Sequence, residues 1–218
     1  MPLGAFLVEH LWATASVLGG RVPFDRTVGE LQRLPALPLL ELIGIFLPLT
    51  FHVVYGVVLS REPSFRLGSD TTTRLERAQR VTGVFVLVFL LAHLWEFRVQ
   101  KWLFSMSPAN FYDVMESHLS WTKWGVPWIA MGYLVGVGAT VFHFAANLFR
   151  FGVSWGLVKS LRGQQRLGLA SAFAGAFLFV LGSLSVMSMA SGSRFGLGRS
   201  TAAPALSDCK GQDAPPAH

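Results

Sequence analysis

Five runs of apolar residues, 2 to 20, 37 to 59, 81 to 97, 124 to 149 and 167 to 191, occupy about half of this 218-residue chain. Hydrocarbon about 30 Å thick asks for roughly 20 mostly apolar residues per helix, so each run reads as one crossing of a membrane. Inside lipid every backbone N–H and C=O must find its partner within the protein, and for runs of this length the α-helix achieves that. The predicted fold is therefore all-α: a membrane-embedded bundle of five transmembrane helices over residues 1–191, followed by a disordered C-terminal tail over 192–218. Only 14% of the chain is charged and its mean hydropathy is +0.48, which excludes an ordinary soluble domain.

The five runs differ in quality. The second carries one charge, Glu41, near its start, and the fourth and fifth carry none. The third is uncharged from Val81 to Trp95 and is completed through Phe97. The first holds Glu9 beside His10 and competes with a signal peptide, but a signal peptide wants a basic leading region, and no Lys or Arg precedes Arg21. Cys209 is the one cysteine and lies in the polar tail, so there is neither a disulfide framework nor a CxxC metal site. Redox chemistry would have to come from a bound cofactor.

The net charge of +6 sits mainly between the apolar runs, where anionic lipid explains it better than nucleic acid does. Segments 60 to 80 and 150 to 166 hold nine basic groups: Arg61, Arg66, Arg74, Arg77, Arg80, Arg150, Lys159, Arg162 and Arg166. The opposite segments hold six: Arg21, Arg26, Arg33, Arg98, Lys101 and Lys123. The positive-inside rule then sets the N-terminus in the cytoplasm. Trp102, Trp121, Trp124 and Trp128 mark the opposite headgroup level, in a connection with room for a short interfacial helix. From about Ser191 the chain is rich in Gly, Ser, Ala and Pro and lacks the apolar content to order itself.

Four histidines lie within the apolar runs, where an ionisable side chain is a functional hypothesis by default. At 1.5 Å per helical residue, His52 lies about 12 Å from the inner boundary near Ser60 and His143 about 10 Å from Arg150. His93 lies about 20 Å from Arg80 and about 8 Å inside Arg98, and His10 about 12 to 15 Å from the Gly19-Gly20 end of its helix. The four thus fall at two depths, two by two, each pair drawn from different helices. Paired imidazoles at matched depth are what two haem irons clamped across a bundle require, and two imidazoles per iron leave no open position, which suits electron transfer rather than oxygen activation. Gly56, Gly83, Gly136 and Gly138 stand near these histidines and would let a porphyrin approach the backbone, though small residues also serve plain helix packing. The competing reading is that the imidazoles hydrogen-bond neighbouring helices or line a proton path.

The strings FLPLTFHVVYG (46 to 56), QRVTG (79 to 83), AHLWEFR (92 to 98) and VFHFAANL (141 to 148) carry a resemblance. From about Pro2 to the end of the fifth run the chain resembles the succinate dehydrogenase cytochrome b558 subunits, the single-polypeptide, di-haem membrane anchors of succinate:quinone oxidoreductases. Quinol:fumarate reductases are among their relatives. The resemblance implies a five-helix subunit of respiratory complex II in a bacterial cell membrane, serving succinate oxidation in the tricarboxylic acid cycle. It implies two b haems and, on the cytoplasmic side, flavoprotein and iron-sulfur subunits. The inner haem would be held by His52 and His143 and the outer by His10 and His93, as the depth pairing has it. Electrons would run from flavin through iron-sulfur clusters and the inner haem to a quinone, menaquinone in di-haem members, near the outer haem. Trp95, Glu96 and Arg98 are the candidates for lining that quinone site. Arg80, Lys159 and Arg162 are candidate partners of the haem propionates, since guanidinium and carboxylate match geometrically; ordinary loop charges are the alternative.

Two departures from the family pattern stand out. Members usually begin with a basic cytoplasmic segment, whereas this sequence starts inside the region resembling the first helix, so either the true start lies upstream of Met1 or the inner end of the bundle is trimmed. Some quinol:fumarate reductases carry a glutamate two residues before the fourth ligand, and Val141 stands there, which favours succinate oxidation or places proton handling elsewhere. Two further readings stay open. One is the cytochrome b subunit of another membrane dehydrogenase or of quinol:fumarate reductase; the other is a proton-coupled transporter whose path uses Glu9, His10, Glu41 and the other membrane histidines.

Overall fold

A computed structural model describes residues 2–61, 70–99, 103 and 111–192. The tail beyond them, with Cys209, lies outside the described residues, as does Trp102. The described elements are α1 (Pro2–Thr14), a 3-10 turn (Ala15–Gly19), α2 (Arg21–Gln32), α3 (Leu37–Glu41), a π-helical turn (Leu42–Phe46), α4 (Leu47–Arg61), α5 (Asp70–Leu94), a second π-helical turn (Trp95–Val99), α6 (Phe111–Ser120), α7 (Trp128–Ser154) and α8 (Leu161–Ala190). Among the described residues there is no strand, only an isolated bridge between Lys123 and Val126.

Four continuous helical stretches are long and apolar enough to cross a membrane: Leu37–Val58, Arg74–Val99, Trp128–Ser154 and Leu161–Ala190. At 1.5 Å per residue they reach about 33, 39, 40 and 45 Å, more than the hydrocarbon thickness. The predicted first span is helical too, but α1 yields after 13 residues to the 3-10 turn, and Gly20 (φ 95°) then redirects the chain into α2. The third and fifth spans extend further than their uncharged cores, because Arg and Gln side chains are tolerated in the turns that leave the hydrocarbon. The predicted fourth span loses residues 124–127 to a tight turn, with Trp124 (φ 58°) and Gly125 (φ 76°) in left-handed backbone. The short helix expected in the third-to-fourth connection is α6.

The bundle is built on α7 and α8. Small residues let the two backbones close up: a Cβ on Gly182 would stand 2.8 Å from Val137. On the other flank of α7 lies α5, whose Phe89 ring occupies the space a Cβ on Gly136 would take. Helix α1 lies along α8, and α4 leans on α1 and on the π-helical turn before it. The most deeply buried apolar cluster, with Val17, Phe24, Leu119 and Met189, sits at the tryptophan end, where α2 and α6 cover the bundle. Arg21 on α2 makes two 2.7 Å hydrogen bonds to Asp113 on α6, which fastens that cover.

Candidate functional site

The four predicted histidines come together in two pairs. His10 of α1 and His93 of α5 have ring centroids 5.7 Å apart with planes at 76°. His52 of α4 and His143 of α7 are 6.0 Å apart at 86°. The first pair lies toward the tryptophan end, the second toward the end bearing the basic loops.

These dimensions are compatible with a metal between the rings, as they are with plain edge-to-face ring contact. A metal between two imidazoles holds each donor nitrogen about 2 Å away, and with a ring radius on each side the centroids stand roughly 6 Å apart. Among the described residues no group of three or more His, Cys, Asp or Glu side chains gathers that could hold a bare metal ion. Two protein donors are too few for such an ion, but they are the right number when a porphyrin supplies the equatorial nitrogens.

Hydrogen bonds fix the tautomer of His143. Its Nδ1 is 3.2 Å from the carbonyl oxygen of Gln79. A carbonyl only accepts, so Nδ1 carries the proton and Nε2 keeps its lone pair free for a metal. His93 Nδ1 faces the Tyr133 hydroxyl at 3.5 Å. That hydroxyl donates to Glu96 and can therefore accept from Nδ1–H, again leaving Nε2 as the donor. Phe89, Phe97 and Tyr133 surround the His93 ring with centroids 5.2 to 6.0 Å away, and Phe6 stacks on His10.

The glycines divide. Gly83 faces His143 rather than His93: a Cβ there would lie 3.2 Å from the ring's Cε1. Gly136 and Gly138 meet Phe89 and Phe179, which is helix packing, and a Cβ on Gly56 would meet nothing within 4 Å.

Of the predicted quinone residues, Glu96 and Arg98 point into the protein and Trp95 is exposed. All three lie in the π-helical turn Trp95–Val99, a geometry frequent at functional sites. Arg98 is ion-paired with Glu41, their side chains 16% and 15% exposed, so the charges meet largely out of solvent. Glu96 is contacted by both the Tyr133 hydroxyl and His118 Nδ1, which makes a polar chain from beside His93 to half-exposed His118. Arg80, Lys159 and Arg162 are exposed.

Sequence reasoning missed Gln79, Tyr133, His118, Asn147 and Arg150. A polar residue in or at the edge of an apolar run was the available signal for Tyr133 and Asn147. Gln79 and Arg150 stand just outside such runs, where a polar residue reads as an ordinary helix end, and His118 lies in a connection.

No protein-family model matches the chain, and no solved structure does. Over 167 residues the chain is 34% identical to the succinate dehydrogenase cytochrome b558 subunit of Bacillus subtilis (strain 168), an alignment that covers 76% of this chain and 79% of that protein. The chain belongs to the succinate dehydrogenase cytochrome b558 subunit family. It is thus a multi-pass membrane cytochrome, the anchor subunit of an oxidoreductase complex. A b-type cytochrome holds haem by protein side chains such as histidine.

Proposed function

We propose that this cytochrome b558 subunit carries two b haems, one held by His10 and His93 and the other by His52 and His143, and conducts electrons from the iron-sulfur subunit of succinate dehydrogenase to a membrane quinone, menaquinone. The observation that carries the reading is the pair of imidazole couples at 5.7 and 6.0 Å, each joining two helices. In this reading Pro2–Gly19 is the fifth membrane element, since only it can bring His10 to His93. The basic loops face the cytoplasm of a bacterial cell, where the flavoprotein and iron-sulfur subunits dock.

When bound, the haems supply one-electron carriers. His10 with His93, and His52 with His143, would hold the two groups from both sides, and such bis-imidazole binding would suit electron transfer rather than oxygen activation. At the cytoplasmic end, the Gln79 carbonyl holds His143 as neutral imidazole with Nε2 available. Arg80, Lys159 and Arg162, at the same boundary, are proposed as propionate partners.

At the outer end, quinone reduction consumes two protons with two electrons, so its site needs a polar path to water. Trp95, Glu96 and Arg98 are proposed to line it. Glu96 is the residue linked both to Tyr133 beside His93 and to half-exposed His118. The transporter alternative finds less support, because Glu41 is engaged by Arg98 and Glu9 is exposed.

The test is reconstitution with the flavoprotein and iron-sulfur subunits. The complex is expected to show reduced b-haem absorption on adding succinate and to reduce a menaquinone analogue. A complex that assembles and oxidises succinate with artificial acceptors, yet shows no haem absorption, overturns the proposal.

A further inference from the structure

Helices α5 and α7 run antiparallel, and the faces they turn to each other near His143 match step for step. On α5 the face is Glu76, Gln79 and Gly83, spaced by three and four; on α7 it is His143, Asn147 and Arg150, spaced by four and three. Glu76 Oε1 lies 3.7 Å from Arg150 Nη2. Gly83 sits under the His143 ring. Between them Gln79 is engaged at its carbonyl and at both polar atoms of its side chain: the carbonyl oxygen accepts from His143 Nδ1 and from Thr82 Oγ1, Oε1 accepts from Arg150 Nη1 at 2.8 Å, and Nε2 donates to Asn147 Oδ1.

We propose that Gln79 is the positioning residue of the haem-ligand His143: its side chain locks α5 to α7 in the register that brings its own carbonyl to the imidazole. This rests on the reading of His143 as an axial ligand. The backbone carbonyl survives any substitution, so what a side-chain change removes is the register. Two of the side chain's clamps, to Asn147 and Arg150, lie one and two turns beyond His143 on the same helix face. Without them the register near His143 rests on Gly83 and the distant Glu76–Arg150 pair, and the Nδ1–H···O=C bond lengthens. A hydrogen bond from Nδ1–H makes an imidazole a more basic ligand and so favours the ferric state. Weakening it raises the reduction potential of that haem alone.

The experiment compares Gln79→Leu, Asn147→Leu and Gln79→Glu in the full complex, by redox titration of each haem and by the ferric electron paramagnetic resonance signal. The haem of His52 and His143 is identified as the one that His143→Ala removes. Gln79→Leu is expected to raise that haem's midpoint potential and shift its ferric signal while the other haem stays put. Asn147→Leu is expected to shift it less in the same direction, and Gln79→Glu, which keeps the acceptor for Arg150, to lie nearer wild type. Selective loss of that haem in Gln79→Leu also supports the proposal. Unchanged potentials and signals in both leucine variants overturn it, as do equal changes in both haems, which would mean general loosening. If His143→Ala retains both haems, the ligand assignment itself fails, whatever Gln79 does.

Discussion

Gly83→Ala is a one-carbon change aimed at the contact between α5 and His143. The new Cβ would stand 3.2 Å from Cε1 and 3.7 Å from Nδ1 of the ring. Carbon atoms rest against each other at about 3.5–4.0 Å, so ring or helix must retreat by roughly 0.3–0.8 Å. Coordination distances hold to about 0.2 Å, so the retreat exceeds what the bond tolerates unless α7 moves as a body. Changes to groups that support a metal-bound histidine weaken metal affinity by about 10–100-fold, or about 1.4–2.8 kcal/mol. The assay is haem per protein, measured spectrally after challenge with a haem-scavenging apoprotein. Gly83→Ala is expected to lose the His52–His143 haem first and to retain the other at the wild-type rate; Gly83→Val, with more bulk at the same point, should purify with one haem. If the valine variant holds both haems with unshifted potentials, His143 is not pressed on α5 as described.

Further outcomes follow from other contacts. Glu96→Gln and Tyr133→Phe are each expected to slow succinate-driven quinone reduction at least tenfold while sparing artificial acceptors and both haems, since the two residues serve the outer polar chain; equal activity with quinone would remove Glu96 from the site. Breaking the sheltered Glu41–Arg98 pair with Arg98→Met should destabilise the subunit by about 3–5 kcal/mol, whereas the double change with Glu41→Met recovers most of it, read by thermal unfolding in detergent. On the outer cover, hydrogen bonding to Asp113 holds the Arg21 guanidinium above the ordinary arginine range. A raised pKa stabilises below the unfolded value and fades only as pH climbs through the folded one. The arginine side of that pair therefore gives no pH dependence between pH 5 and 9, by unfolding temperature, and for an exposed pair is worth under about 1 kcal/mol. Ser160 accepts from the Gly163 N–H at the start of α8, and Ser160→Ala should lower stability by about 1 kcal/mol.

How much of this was legible in the sequence depends on which physical rule governs each part. Helices forced by the lipid were readable, because uninterrupted apolar runs have no other way to satisfy their backbones. Their ends were less so: residues 124–127 look apolar, yet Trp124 and Gly125 turn, because positive φ is a backbone property that composition does not display. The pairing of His52 with His143 and of His10 with His93 followed from depth, since rise per residue is nearly constant. Depth says nothing of rotation about the helix axis. That is why the sequence does not show which histidine Gly83 faces, His143 in the structure, nor that Gln79, Tyr133 and His118 reach the pairs. The π-helical turns at Leu42–Phe46 and Trp95–Val99 add an unforeseen rotation, and the second carries Glu96 and Arg98 inward.

The central claim is which histidines share a haem. Four single substitutions, His10→Ala, His93→Ala, His52→Ala and His143→Ala, are to be compared by low-temperature difference spectra and haem content of the purified complex. The account expects the first two variants to lose one and the same b haem and the last two to lose the other, with one haem remaining in each. Loss of the same haem from His10→Ala and His143→Ala, or two haems persisting in any of the four, would contradict it.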